Sequence, residues 1–430
     1  MKIKKRERDA ILQSLKSGVV PKIGLQYIQV GRKEEISAII EDLERVEDGG
    51  AFIKFIIGKF GSGKSFFLSL TKTIALKKKF VVAQVDITPD HRLHGKDGQA
   101  RALYAELMQS LSTNAKPNGG ALESIIERWI SEIDFKIQSN NIFDSNLKSE
   151  IYKELKPLQE IVNGYDFINV ILKYLEAYST NSEDLKSNSL KWLKAGYRLK
   201  SEASKDLGVK NIISDDNIYE YLKLFAKFVK IVGYSGLIVN IDEMIVLSER
   251  LNNSIARNLN YEMLLRILND CLQGTTSEIG FLFSGTDDFL EDQRRGLYSY
   301  EALATRLAVN EFAVNGINDF SGPLIKLENL SQNDFYILLL NIRNVFAEGD
   351  ESKYLISDEG LEFFMEYLYK NLGTTFFSTP RDSIKKFVNL LSILEKNINL
   401  SWEELLEKTE KKETQERQNE LDNDLIDFEL

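Results

Sequence analysis

The stretch Phe52–Ala75, FIKFIIGKFGSGKSFFLSLTKTIA, decides how the chain is read. Its first six residues are a short, mainly apolar run, the pattern of a buried strand. Four residues separate Gly58 from Gly63, Lys64 and Ser65, and a helical pattern follows at once. That is a phosphate-loop pattern in its required setting, after a strand and before a helix. The chemistry accounts for the residue types. Gly58, Gly61 and Gly63 let the backbone curl so that N–H groups over Ser62, Lys64, Ser65 and Phe66 face phosphate oxygens, and the helix N-terminus adds a favourable dipole. Lys64 would neutralise the β- and γ-phosphates of ATP, and the Ser65 hydroxyl would ligate Mg²⁺. The plain alternative is a glycine-rich turn with a solvated lysine.

Working outward, Leu237–Ile241 in GLIVNIDEMIVLSER is a second apolar run, and it ends in two acids. Ligand groups of an open α/β sheet gather at strand ends. Asp242 would hold the hydration shell of Mg²⁺, and Glu243 would polarise the water that attacks the γ-phosphate. Further buried-strand patterns lie at Phe80–Ile87, Ile279–Phe283 and Leu324–Leu327, with mainly helical patterns between. This predicts an α/β fold, a parallel sheet flanked by helices. The region from about 114 to 232 lacks a strand pattern and reads as a large helical insertion. Helical patterns after Leu327 suit an all-helical C-terminal lid. The expected division is therefore a nucleotide-binding core over 1–328, a lid over 329–408 and an acidic, disordered tail over 409–430.

Composition narrows the field. The 430 residues are 43% hydrophobic, enough for a large buried core. No apolar run reaches membrane-spanning length, and the charged start MKIKKRERDAILQSL lacks an apolar signal segment, so a cytoplasmic protein with no membrane partner is expected. One cysteine and two histidines exclude an internal disulfide and a Cys/His zinc site. A net charge of −10 opposes a broadly basic nucleic-acid surface, so any DNA contact must come from local patches. One candidate patch is 186–210, which gathers Lys186, Lys191, Lys194, Arg198, Lys200 and Lys205 around Trp192 and Tyr197. It suits a nucleic-acid backbone, or else an amphipathic helix with a solvated basic face. His91 and Arg92, just past the second strand, could face a pore or partner, or form a satisfied polar loop.

Together the two phosphate-site segments, FLFSGTDDFL (281–290) and EALATRL (301–307) resemble the AAA+ ATPases. The resemblance implies a polar sensor at the fourth strand, Ser284 or Thr286, and an arginine finger, best matched by Arg306, with Arg294 and Arg295 in reserve. The alternative for Arg306 is a surface arginine pairing with Glu301 or Glu311. GLQYIQVGRKEEI resembles the adenine-side box, with Ile28, Val30 and Gly31 lining the base, and STPRDSIKKFV places Arg381 as the lid arginine. More narrowly, GVVPKIGLQYIQVGR, the phrase from Val85 to Leu111 and GYSGLIVNIDEM resemble the ATP-binding proteins of phage-defence loci of the BREX-associated BrxD type. That implies an oligomeric ATPase working with DNA and a partner helicase. A nucleotide-controlled assembly switch with slow turnover is the competing expectation. The chain departs from the AAA+ pattern in the long stretch between Lys64 and Asp242, which the helical insertion must absorb between the second and third strands.

Overall fold

The computed structural model describes residues 2–139, 147–308, 310, 319–372, 380–397 and 399–409. In chain order these give α1 (Lys5–Lys16), α2 (Lys33–Glu47), β1 (Ala51–Ile57), α3 (Lys64–Lys77) and β2 (Val81–Asp86). Helices α4 (Gln99–Ser110), α5 (Leu122–Ser139), α6 (Leu147–Leu155), α7 (Gly164–Thr180), α8 (Glu183–Leu193), α9 (Lys200–Leu207) and α10 (Ile218–Ile231) lead to β3 (Leu237–Asp242). Then come α11 (Ile245–Glu249), α12 (Ser254–Leu272), β4 (Ile279–Gly285), α13 (Asp287–Glu291), α14 (Glu301–Arg306) and β5 (Leu324–Lys326). Helices α15 (Gln332–Phe346), α16 (Asp358–Leu372) and Pro380–Lys396 follow. Among the described residues no helix is long and apolar enough to cross a membrane.

The chain divides into two compact units. One comprises Lys33–Ile57 and Thr71–Lys326 and holds a five-stranded sheet in the order β2-β3-β4-β1-β5. All its pairings are parallel, with Ile57 level with Gly285, Ile241 with Phe283 and Asp86 with Asp242. Every residue of β1, β3 and β4 is buried, which is why these strands read as mainly apolar runs and not as alternating ones. Between β2 and β3 the described chain is helical, and α5, α7 and α10 pack through Trp129, Phe167 and Phe228 in edge-on ring pairs.

One charged residue breaks the apolar run of β1. Lys54 is 3% exposed; its Nζ lies 3.3 Å from the buried Asp42 of α2 and donates to the carbonyls of Phe320 and Gly322 at 2.6 and 2.7 Å. Burial lowers the Lys54 ammonium and raises the Asp42 carboxyl from their ordinary pKa values, and their mutual attraction opposes both shifts. The pair therefore ties β1 and α2 to the turn that enters β5.

The other unit comprises Met1–Arg32, Gly58–Leu70 and Leu327–Leu430. Its core joins Ile11, Leu12 and Leu15 of α1 to Phe335, Leu339 and Ile342 of α15, Leu361 and Phe364 of α16, and Phe387 and Leu391 of the helix Pro380–Lys396. Arg8 closes the seam: its guanidinium donates to the Phe346 carbonyl at 2.7 Å and to Glu395 at 2.6 Å. Residues 373–379 of the expected lid, Glu311 and the tail from 410 onward lie outside the described residues.

Candidate functional site

The glycine loop follows β1 directly and belongs to the second of these units. Gly61 and Gly63 adopt left-handed backbone at φ +83 and +92, conformations that a side chain would strain. Gly58 permits the tightest approach, because a Cβ there would stand 2.6 Å from the Ser62 hydroxyl and 2.7 Å from the Leu327 carbonyl. Space is open where a Cβ of Gly63 would lie. The Lys64 ammonium curls back on the loop, donating to the carbonyls of Gly58 and Lys59, both at 2.9 Å, with the Phe60 ring 5.6 Å away. Ser65 lies in the first turn of α3, and Phe66 and Val30 both pack against the core of this unit, which includes the buried Ile28. These are features of a loop shaped to cradle phosphate groups, which fits ATP at this position.

In the same unit, Gly31 and Arg32 are both left-handed, at φ +64 and +61, and the Arg32 guanidinium donates to the carbonyls of Ser62 and Glu328. Arg381 stands exposed at the start of its helix, and its stem crosses Gly18, where a Cβ would lie 3.1 Å from the arginine Cδ. Gly18 ends α1, donating its amide to Leu15 while Val19 donates to Ser14.

In the sheet unit, Asp242 ends β3, is 6% exposed and accepts the Glu243 amide at 2.8 Å. Glu243 is exposed and left-handed, at φ +59, a strained conformation for a non-glycine residue. The Met244 amide donates to the Ser284 carbonyl at 2.9 Å, linking this turn to the end of β4. The Ser284 hydroxyl is buried without a hydrogen-bond partner among the described residues. The Thr286 hydroxyl is already engaged: it caps α13 by accepting the Phe289 amide at 3.2 Å. Asp86, which no motif in the sequence marks, ends β2 as Asp242 ends β3. Burial, and then the charges of Asp242 and Glu243, raise its carboxyl above the ordinary value.

Arg306 is exposed, but not paired with Glu301: it donates to Asn269 at 2.7 Å and to the Ala302 carbonyl at 2.9 Å. The loop after β2 is internally satisfied, with Arg92 donating to the Pro89 and His94 carbonyls and His91 2.7 Å from Glu106. The basic–aromatic patch is not a stacking surface. Trp192 and Tyr197 are each 1% exposed, with the indole donating to the Asn211 carbonyl and the phenol to Asp206, because these rings fill the core of the helical insertion. Lys186 pairs with Glu123 and Glu127.

A parallel sheet, helices on its flanks and a curled glycine loop directly after its first strand define an α/β protein of the nucleotide-binding kind. The model of the family described as BREX system ATP-binding protein BrxC/D matches residues 3–410, and the chain belongs to that family. ATP binding in phage defence is the function that this membership carries. No curated protein matches the chain.

Proposed function

We propose that the chain is an AAA+ ATPase that hydrolyses ATP with Mg²⁺, works as a homo-oligomer and acts on DNA or a DNA-bound partner in the bacterial cytoplasm. The observation that carries this reading is the sheet order β2-β3-β4-β1-β5, with a glycine loop leaving β1 and adjacent acids ending β3. Ligand groups of parallel sheets gather at the carboxyl ends of the strands. Lys64 would neutralise the β- and γ-phosphates, and Ser65 and Asp242 would hold Mg²⁺. The chemistry supplied by bound Mg²⁺ would be neutralisation of charge on the phosphoryl group. Glu243 polarises the attacking water, a role its exposed carboxylate suits. Ile28, Val30 and Gly31 line the base. Ser284 is better placed than Thr286 to sense the γ-phosphate, since its hydroxyl is not spent on a helix cap. Arg381 reaches the γ-phosphate from the start of its helix, and Arg306 serves a neighbouring copy as the finger. Residues 1–328 form the core, 329–408 the lid and 409–430 the tail, and a helicase of the same defence locus is the partner.

Two substitutions test the chemistry. Lys64→Ala is expected to abolish ATP binding in calorimetry; retained affinity would sink the phosphate-loop assignment. Glu243→Gln is expected to bind ATP normally and lose about a hundredfold or more in hydrolysis, the usual worth of a general base. Normal turnover by that variant removes Glu243 as the base.

A further inference from the structure

Two arginines of the sheet unit converge on a single carbonyl. Arg257, in the first turn of α12, donates from Nη1 to the Leu251 carbonyl at 3.0 Å. Arg295, in the turn after α13, donates from Nη2 to the same oxygen at 3.2 Å and to the Glu249 carbonyl at 3.0 Å. Neither forms an ion pair among the described residues, although acids outnumber bases in this chain by 65 to 55. Arg343, similarly buried, has Asp358 at 2.6 Å, and the largely buried Arg8 has Glu395 at the same distance. Arg257 is 8% exposed and has only a neutral carbonyl. The carboxylate at hand, Asp292, is taken up by the amides of Arg294 and Arg295. A guanidinium withdrawn from water without a counter-charge costs free energy, and a second cation on the same acceptor adds repulsion.

The helix adds to the imbalance. The positive end of the α12 dipole lies in the turn that carries Arg257, where a cation is disfavoured and an anion favoured. Both Nε atoms are buried without a partner among the described residues. Arg250, at the end of α11, and Arg294, next to Arg295, are exposed. We infer that Arg257 and Arg295, with Arg250 and Arg294 at the rim, form a receptor for a phosphate oxyanion separate from the glycine loop. Guanidinium forks match phosphate bidentately, and two of them with a helix N-terminus offset two negative charges better than a lone lysine does. The phosphate comes either from a nucleic-acid strand or from a free polyphosphate.

The test uses the full chain in a Lys64→Ala background, so that failure of the glycine-loop reading cannot be mistaken for failure of this one. Two probes are measured: inorganic pyrophosphate by calorimetry, and a fluorescent oligonucleotide, single- and double-stranded, by anisotropy across a salt series. Arg295→Gln, at a half-buried position, is expected to weaken binding about tenfold, the worth of one charge-assisted hydrogen bond. Arg257→Gln should do the same, and Arg295→Lys should keep part of the affinity. Loss on the oligonucleotide, with the salt slope reduced by about one, assigns the site to a nucleic-acid backbone. Loss on pyrophosphate alone assigns it to free polyphosphate. If Arg257→Gln does not fold, Arg295→Gln decides alone. Unchanged binding of both probes by a folded Arg295→Gln variant, or no binding of either probe to begin with, overturns the proposal and leaves the arginines as braces of the 249–252 loop.

Discussion

At the scale of single residues, Arg306 carries the sharpest consequence of the proposed mechanism. Its guanidinium is held within its own chain by Asn269 and Ala302, so serving a neighbouring copy means exchanging those two hydrogen bonds for a phosphate. A finger supplied in trans is worth roughly 10³ or more in rate and adds little to binding by an isolated subunit. Arg306→Ala is therefore expected to bind ATP almost normally and hydrolyse it poorly at every protein concentration. Mixing it with Lys64→Ala should restore part of the activity, because one copy keeps its finger and the other its glycine loop. A fully active Arg306→Ala variant, measured by phosphate release, would make the arginine a surface residue. What the sequence discloses about such residues depends on whether their surroundings are local. The curl of the loop from Gly58 to Ser65 is legible because it is written in closely spaced glycines. Trp192 and Tyr197 are not, since only the helices folded around them decide that the rings face inward and leave the lysines outside.

Elements were legible to the degree that burial left a periodic mark. All five strands fall on the apolar runs that predict them, because a parallel sheet covered on both faces has no polar side to interrupt the run. The exception is Lys54, whose partner Asp42 lies on α2 with no signal to connect the two. Removing one member of such a pair leaves the other charge buried and stranded. Lys54→Met is accordingly expected to cost about 3–5 kcal/mol in urea denaturation, as other broken buried pairs do. The Phe320 and Gly322 carbonyls would lose their donor as well, so hydrogen exchange should quicken in the turn entering β5. A variant within about 1 kcal/mol of wild type, inside the usual range for exposed pairs, would show that the pair does not tie these elements together.

For the molecule as a whole, an oligomeric ATPase and a slow nucleotide switch predict different behaviour. The ATPase should enlarge on sizing columns with a non-hydrolysable ATP analogue, and its turnover should rise when DNA is added. A switch assembles as well but gains little from DNA, so an unstimulated rate would favour it. The helical unit has a further consequence, one of timing. It is built from three separated stretches, and Ile11, Leu12 and Leu15 of its first helix bury themselves against Phe335, Leu339 and Phe387. During synthesis, α1 emerges from the ribosome more than three hundred residues before those partners. At typical elongation rates it waits roughly 15–60 s with its apolar face uncovered. The glycine loop, whose Phe66 packs into the same core, waits with it. ATP binding should therefore be among the last properties a growing chain acquires, and nascent chains stalled before α15 should offer that bare helix face to chaperones.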